Sequence, residues 1–235
     1  MGRLDDLILA IKRGETPATR LAKNTYKALT KWNVPVNGAS APVYNALYRT
    51  FHMGEEAWEF ARAKFFWEPM VRARFHSVGK NIRLGRLPFV KGHTKISIGD
   101  DVYIGAHMCV ESGRYLDEPV LNIGNNVTIS SDCYIMVSRR VDIGDYVAIG
   151  AHVEISDGDG HHTDLEKRKA NVPPDLDDLV PVEIKEGAWL GRGVKVLKGV
   201  TIGKGAIVAA GSVVASDVPD GAMAMGVPAR VLRGR

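Results

Sequence analysis

Beyond Phe89 the chain has no phenylalanine, and beyond Val78 it has one tryptophan, Trp189. Cysteine is nearly absent. Cys109 and Cys133 are the only two, which excludes a disulfide framework. The excess of one charge sign is also small: the net of +4 is no nucleic-acid signature by itself. No apolar run approaches the length that spans a bilayer. The first residues, MGRLDDLILAIKRGE, carry acids where a signal peptide needs bases, and their apolar run is short. A cytoplasmic protein is therefore expected. The 235 residues allow one domain with an appendage. A content of 45% hydrophobic and 25% charged residues is ordinary for a soluble globular chain.

What is present is a period. Ile184, Leu190, Val196, Ile202, Val208 and Val214 lie six apart. An α-helix repeats its apolar face at about 3.6 residues and a half-buried strand at 2, so six suits neither over a long run. It suits a chain that makes one straight segment and one corner every six residues, which is the mark of a parallel β-helix. A single coil buries little, so coils must stack. The register extends backwards through Ile143, Ile149 and Ile155, through Ile123, Ile129 and Ile135, through Ile98, Ile104 and Val110, and through Val78, Leu84 and Val90. Each triplet makes one coil with three faces, and about six coils result.

The breaks in the period are informative. The steps from Val90 to Ile98, Val110 to Ile123, Ile135 to Ile143 and Ile155 to Ile184 all exceed six, and each falls between the third anchor of one coil and the first of the next. All insertions therefore leave from one edge of the prism. A second column, four residues after each anchor, includes Val102, Met108, Val127, Cys133, Val147, Ala188 and Ala206. These small or apolar residues suit a narrow interior, so Cys133 reads as core filler rather than nucleophile.

Residues 1–76 read as helices, with breaks marked by Pro35, Gly38 and Pro42. The expected organisation is a helical region over 1–76, a repeat region over 77–218 with an inserted loop at 156–181, and a tail over 219–235. From Phe60 to Lys95 there are nine Lys or Arg and one acid, Glu68. The plain reading is a solvated helical face on the base of the prism. The sharper reading is peripheral contact with the inner face of a membrane through residues 44–91.

KEGAWLGRGVKVLKGVTIGKGAIVAAGSVVASDVPDGAMAMGVPARVLR resembles the C-terminal half of the hexapeptide-repeat acyltransferases, nearest to the sugar O-acetyltransferases of the maltose, galactoside and colanic-acid type. SDGDGHHTD resembles the loop that carries their catalytic histidine, and FFWEPMVRARFHSVGKNIRL more loosely resembles the lead-in of surface-polysaccharide acetyltransferases. The resemblance spans about residues 60–235. It implies a left-handed coil, a homotrimer, acetyl-CoA as co-substrate and no metal.

Acyl transfer to a hydroxyl needs a base for the acceptor proton and a donor for the tetrahedral oxyanion. Histidine suits the first task near neutrality. The long insertion holds the adjacent pair His161 and His162. On the family's pattern His161 falls at the base position, with His162 as fallback. Asp157, Asp159 or Asp164 would orient its other ring nitrogen, as the third member of a triad does.

Register alone gives a second set. His107, Asp132 and His152 each follow a middle anchor by three residues and stack on one outer surface, where they would bind acceptor hydroxyls. Trp189 would either wall the acceptor pocket or simply pack under the loop. By resemblance, Gly191, Arg192, Ala210, Ala215 and Ser216 line the pantetheine path, and Arg230 and Arg233 meet the nucleotide end. Arg192 and the pair Ala215–Ser216 depart from the family's usual residues.

The expected reaction is acetyl transfer from acetyl-CoA to a hydroxyl of a saccharide or glycolipid precursor, by direct attack and without an acyl-enzyme. Three alternatives stand beside it: N-acetylation of an amino sugar or antibiotic, a γ-type carbonic anhydrase using His107, His152 and His161 on zinc, and a non-catalytic scaffold. No nucleic-acid partner is expected.

Overall fold

The computed structural model describes residues 3–31, 33–34, 36–113, 116 and 118–232. The chain divides into two compact units, Met1–Glu55 and Glu56–Arg235. In the first, α1 (Arg3–Arg13) and α2 (Pro17–Lys31) pack on each other. Pro17 opens α2, where its missing N–H costs nothing, and Thr16 Oγ1 accepts from the Thr19 N–H at 3.2 Å. Pro35 and Trp32 lie outside the described residues. The break marked by Gly38 and Pro42 falls between α2 and α3 (Ala41–Arg62), with Pro42 in the first turn of α3.

The helical stretch after α3 differs from a continuous helix. A π turn occupies Ala63–Trp67 before α4 (Glu68–Arg74). In a regular α-helix the ring of Pro69 would collide with the carbonyl four residues earlier, at Phe65. Widening the turn relieves that collision.

The remainder is a parallel β-helix of six coils, in keeping with the left-handed prism that the resemblance implies. Face A stacks Ser77–Val78, Lys95–Ile98, Val120–Ile123, Arg140–Ile143, Val182–Ile184 and Thr201–Ile202. Face B stacks Arg83–Leu84, Tyr103–Ile104, Thr128–Ile129, Ala148–Ile149, Trp189–Leu190 and Ile207–Val208. Face C stacks Phe89–Lys91, Cys109–Ser112, Tyr134–Val137, Glu154–Ser156, Lys195–Val196 and Val213–Val214. Register is one anchor over the next: Ile98 pairs with Ile123, Ile123 with Ile143, Ile143 with Ile184 and Ile184 with Ile202. A slip of one residue would turn every one of these side chains outward, so the hexad pattern fixes the register.

Both predicted columns form the core. The anchors from Ile98 to Val214 and the second column from Val102 to Ser212 are buried. Only Val78 and Val90 of the first coil are partly exposed. Cys133 is a core residue, its Sγ donating to the Gly150 carbonyl, and burial pushes its thiol up from the ordinary value. The corner between faces A and B is laced by side chains. Asp100 Oδ1 accepts from the Lys80 N–H, Asn125 Oδ1 from the Asp100 N–H and Asp145 Oδ1 from the Asn125 N–H. Each coil thus satisfies the turn of the coil before it. Beyond coil six, Met223–Gly226 adds a parallel rung to face B, and Ala229–Val231 pairs with it antiparallel.

Candidate active site

All insertions leave from the edge between faces C and A. The longest, 157–181, folds back over the outer surface of face C. Its root is Asp157, fully buried. Asp157 Oδ1 accepts from the Ser138 N–H at 2.5 Å, and Oδ2 accepts from the N–H groups of Arg139 and Arg140 at 2.6 and 2.7 Å. Burial pushes this carboxyl above the usual carboxylate value, and the three backbone donors pull it part of the way back. Leu179, 1% exposed, anchors the returning strand. Between them lies α5 (Leu165–Lys169), capped by Asp164, whose Oδ1 accepts from the Lys167 N–H at 2.8 Å.

The loop and face C enclose a cleft of about 490 Å³. His161, His162, Asp159 and Arg168 come from the loop, and Glu111, Tyr134, Met136 and Ser138 come from the face. The two histidines differ. His162 is buried; its Nδ1 accepts from the Asp164 N–H at 2.9 Å, and its Nε2 lies 3.3 Å from Asp175 Oδ2. An N–H can only donate, so the neutral ring carries its proton on Nε2 and gives it to Asp175. Arg168 holds the same turn by donating to the carbonyls of His162 and Thr163. His161 is exposed and has no hydrogen bond or ion pair among the described residues, so its ring nitrogens are open to the cleft.

None of the three carboxylates that the sequence offered as orienters touches His161. Asp157 holds the loop root, Asp159 pairs with Lys198 and Asp164 caps α5. Each is claimed by the local structure.

The face C residues were missed by sequence reading. Glu111 and Tyr134 flank buried anchors and point outward, and a loop leaving the edge of face C can fold back over that face. Tyr134 donates to Glu111 Oε2 at 3.0 Å, and Lys91 donates to Glu111 Oε1 at 2.6 Å. Burial first, and the Glu111 carboxylate second, hold the Tyr134 phenol up at about 12, so it stays protonated at neutral pH. Ser138 Oγ is buried with no hydrogen-bond partner among the described residues.

His107, Asp132 and His152 stack at the corner between faces B and C, all at positive φ near 60°. Arg86 donates to His107 Nε2 at 2.7 Å, which leaves the His107 Nδ1–H to donate to Asp132 at 3.2 Å. This corner is outside the cleft lining. It lies at the other end of face C, about 13 Å away at one strand rise per residue from 107 to 111. In coils five and six the same corner carries Gly193 and Gly211, at φ 70° and 72°, with open space where a Cβ would sit. Left-handed backbone costs a non-glycine residue about 1 kcal/mol or more. His152→Gly is therefore expected to raise stability by about 1 kcal/mol, measured by urea unfolding. If His152 contacts the acceptor, the same change raises KM for the acceptor.

Gly191, Arg192 and Ala210 lie beside that bare corner. A Cβ on Gly191 would sit 2.6 Å from the Ala210 nitrogen, so the two coils touch there through backbone. Trp189 is 54% exposed on face B, beside Ala148 and Ile207. Ala215 and Ser216 follow the last strand of face C, and Arg230 lies exposed on the antiparallel terminal strand. Arg233 lies outside the described residues. Within one chain these residues do not join the His161 cleft. Among the described residues no group of three or more His, Cys, Asp or Glu converges as a metal site, and His107 and His152 lie apart from the His161 cleft.

Residues 181–216 match the family model described as bacterial transferase hexapeptide (six repeats). No curated protein matches the chain. Among solved structures, AntD, an N-acyltransferase from Bacillus cereus in complex with dTDP-4-amino-4,6-dideoxyglucose and coenzyme A, is 20% identical. The match covers 72% of this chain and 88% of that one, with a TM-score of 0.56. The hexapeptide-repeat acetyltransferase VCA0836 from Vibrio cholerae O1 biovar eltor, complexed with acetyl coenzyme A, is 26% identical over 71% of this chain and 74% of that one, with a TM-score of 0.48. Galactoside acetyltransferase in complex with coenzyme A is 26% identical over 71% and 68%, with a TM-score of 0.44.

Proposed function

We propose that this chain, which carries the hexapeptide repeat of the bacterial transferases, moves an acetyl group from acetyl-CoA to a hydroxyl of a saccharide or glycolipid precursor. The observation that carries the reading is His161, exposed and without a hydrogen-bond or ion-pair partner among the described residues, at a cleft that Glu111, Tyr134 and Ser138 also line and whose neighbouring histidine is fully engaged. The acceptor hydroxyl would give its proton to a ring nitrogen of His161 as its oxygen attacks the thioester carbonyl carbon. The carbon–sulfur bond then breaks, and the departing sulfur takes the proton back from the imidazolium. The buried Ser138 hydroxyl has a hydrogen bond to give at this cleft. Glu111 and Tyr134 line the cleft and suit a polyol, while the His107–Asp132 pair at the corner would meet only an acceptor that extends along face C.

The residues beside the bare corner fit the donor. Pantetheine is a chain of amides, and the glycine corner at 193 and 211 leaves backbone accessible along two coils. Arg192 and Arg230 are exposed and supply charge for phosphates. A homotrimer belongs to the same reading, since one chain leaves the donor residues and the His161 cleft apart.

The deciding experiment is calorimetric titration of chelator-treated protein with acetyl-CoA, followed by a panel of saccharide and amine acceptors. Micromolar binding near one site per chain, with transfer to hydroxyl acceptors, is the expected result. Transfer to amines alone would replace the acceptor class. Absence of donor binding would overturn the reading.

A further inference from the structure

The helical stretch at the first coil has two unlike sides. Phe60, Ala63 and Trp67 recur at helical spacing. Ala63 and Trp67 pack against the core, while Phe60 and Ala63 line a cavity of about 530 Å³ with Ile82 and Leu84. On the other side Trp58, on α3, and Phe65, in the π turn, are 60% and 73% exposed.

The charge of the chain is concentrated in the same segment. Residues 56–95 hold nine Lys or Arg and three acids, a net of +6. Since the whole chain carries +4, the rest carries −2. Glu59 and Glu68, two of the three acids, are already paired with Arg62, Lys64 and Arg72. Lys80 and Arg83, on the first coil, have no carboxylate partner among the described residues.

We propose that this end of the protein docks on an anionic phospholipid bilayer. Trp58 and Phe65 would enter the interface, and the cations of 60–95 would face the headgroup phosphates. An exposed Trp favours that interfacial depth, and an exposed aromatic helical side flanked by cations lies in the plane of the surface rather than across it. No helix among the described residues is long and apolar enough to cross a membrane. A second copy of this chain is the poorer occupant. Two such faces meeting would oppose two basic segments, and like charges across an interface repel, whereas a phosphate layer supplies the opposite sign.

The test is co-sedimentation of the full chain with vesicles of phosphatidylcholine alone and of phosphatidylcholine with phosphatidylglycerol. Two double variants accompany it, Trp58→Ser with Phe65→Ser and Lys80→Glu with Arg83→Glu. All four side chains are off the β-helix core, so thermal midpoints should match the parent and confirm folding. Binding is expected only to the anionic vesicles, weakened by salt, and about tenfold weaker in each variant. Acetyl transfer to a soluble acceptor should be unchanged, which separates this proposal from the proposed activity. Failure of the parent to sediment, or equal binding to both vesicles by all three proteins, overturns it. So does a shift to a smaller assembly in light scattering when Trp58 and Phe65 are changed, with vesicle binding intact. That result would assign these two side chains to a protein interface.

Discussion

His161→Ala is expected to lower acetyl transfer by about 10²–10⁴-fold, the usual worth of a positioned general base, with acetyl-CoA affinity unchanged. The change should also leave the thermal midpoint where it was. His161 is exposed and bonded to nothing among the described residues, so its removal breaks no structural contact. The matching His162→Ala change should behave differently. It removes a buried ring that receives the Asp164 N–H and reaches Asp175, so stability and activity should fall together. Steady-state kinetics, calorimetry and thermal unfolding on the two variants separate base from buttress. Normal turnover by His161→Ala would end the assignment, and a rate loss without a stability loss in His162→Ala would transfer it to His162.

Asp157→Ala should carry the largest structural penalty at the site. One carboxylate receives three backbone donors, and the Ser138 N–H belongs to a fully buried residue. Stranding these groups costs about 1–3 kcal/mol for the buried donor and less for the others, so a loss of about 3 kcal/mol in urea unfolding is expected. Because the loop that presents His161 is rooted there, activity should fall even where the chain remains folded. The pH dependence has a definite sign. Burial raises the folded-state pKa above the ordinary value of 3.8. Protonation is then tighter in the folded state, so this group's contribution is fully present below the ordinary value and is lost as pH rises through the raised one. Asp157→Asn, which cannot titrate, should lack that decline relative to the parent. A parallel pH profile for the two proteins would refute the account.

The β-helix was legible because its interior is set by volume at fixed spacing. Ile123, Ile143 and Ile184 had to be apolar and six-periodic, and the structure stacks them. The edge from which loops leave was legible for the same reason, since breaks in the period fall at one phase. The walls of the cleft were not. Glu111 and Tyr134 matter because a loop rooted at Asp157 turns back over face C, and nothing in the local pattern states which way a loop will turn. The carboxylates near His161 were misleading for a related reason. Asp157, Asp159 and Asp164 are close in sequence, yet backbone donors and Lys198 claim them first. The π turn was hidden because its cause, Pro69, lies beyond the segment it widens.

A column of parallel strands has no natural last member, since each rung offers the next a full row of unpaired donors and acceptors. Here the reversed strand Ala229–Val231 lies against the final rung of face B, running opposite to anything a neighbouring column would present. The far end is occupied by α4, whose Val71 is buried in the core. On face B, copies of this molecule therefore meet dissimilar surfaces at the two ends, and continuation of that sheet from one copy into the next is disfavoured by the same segments that finish the fold.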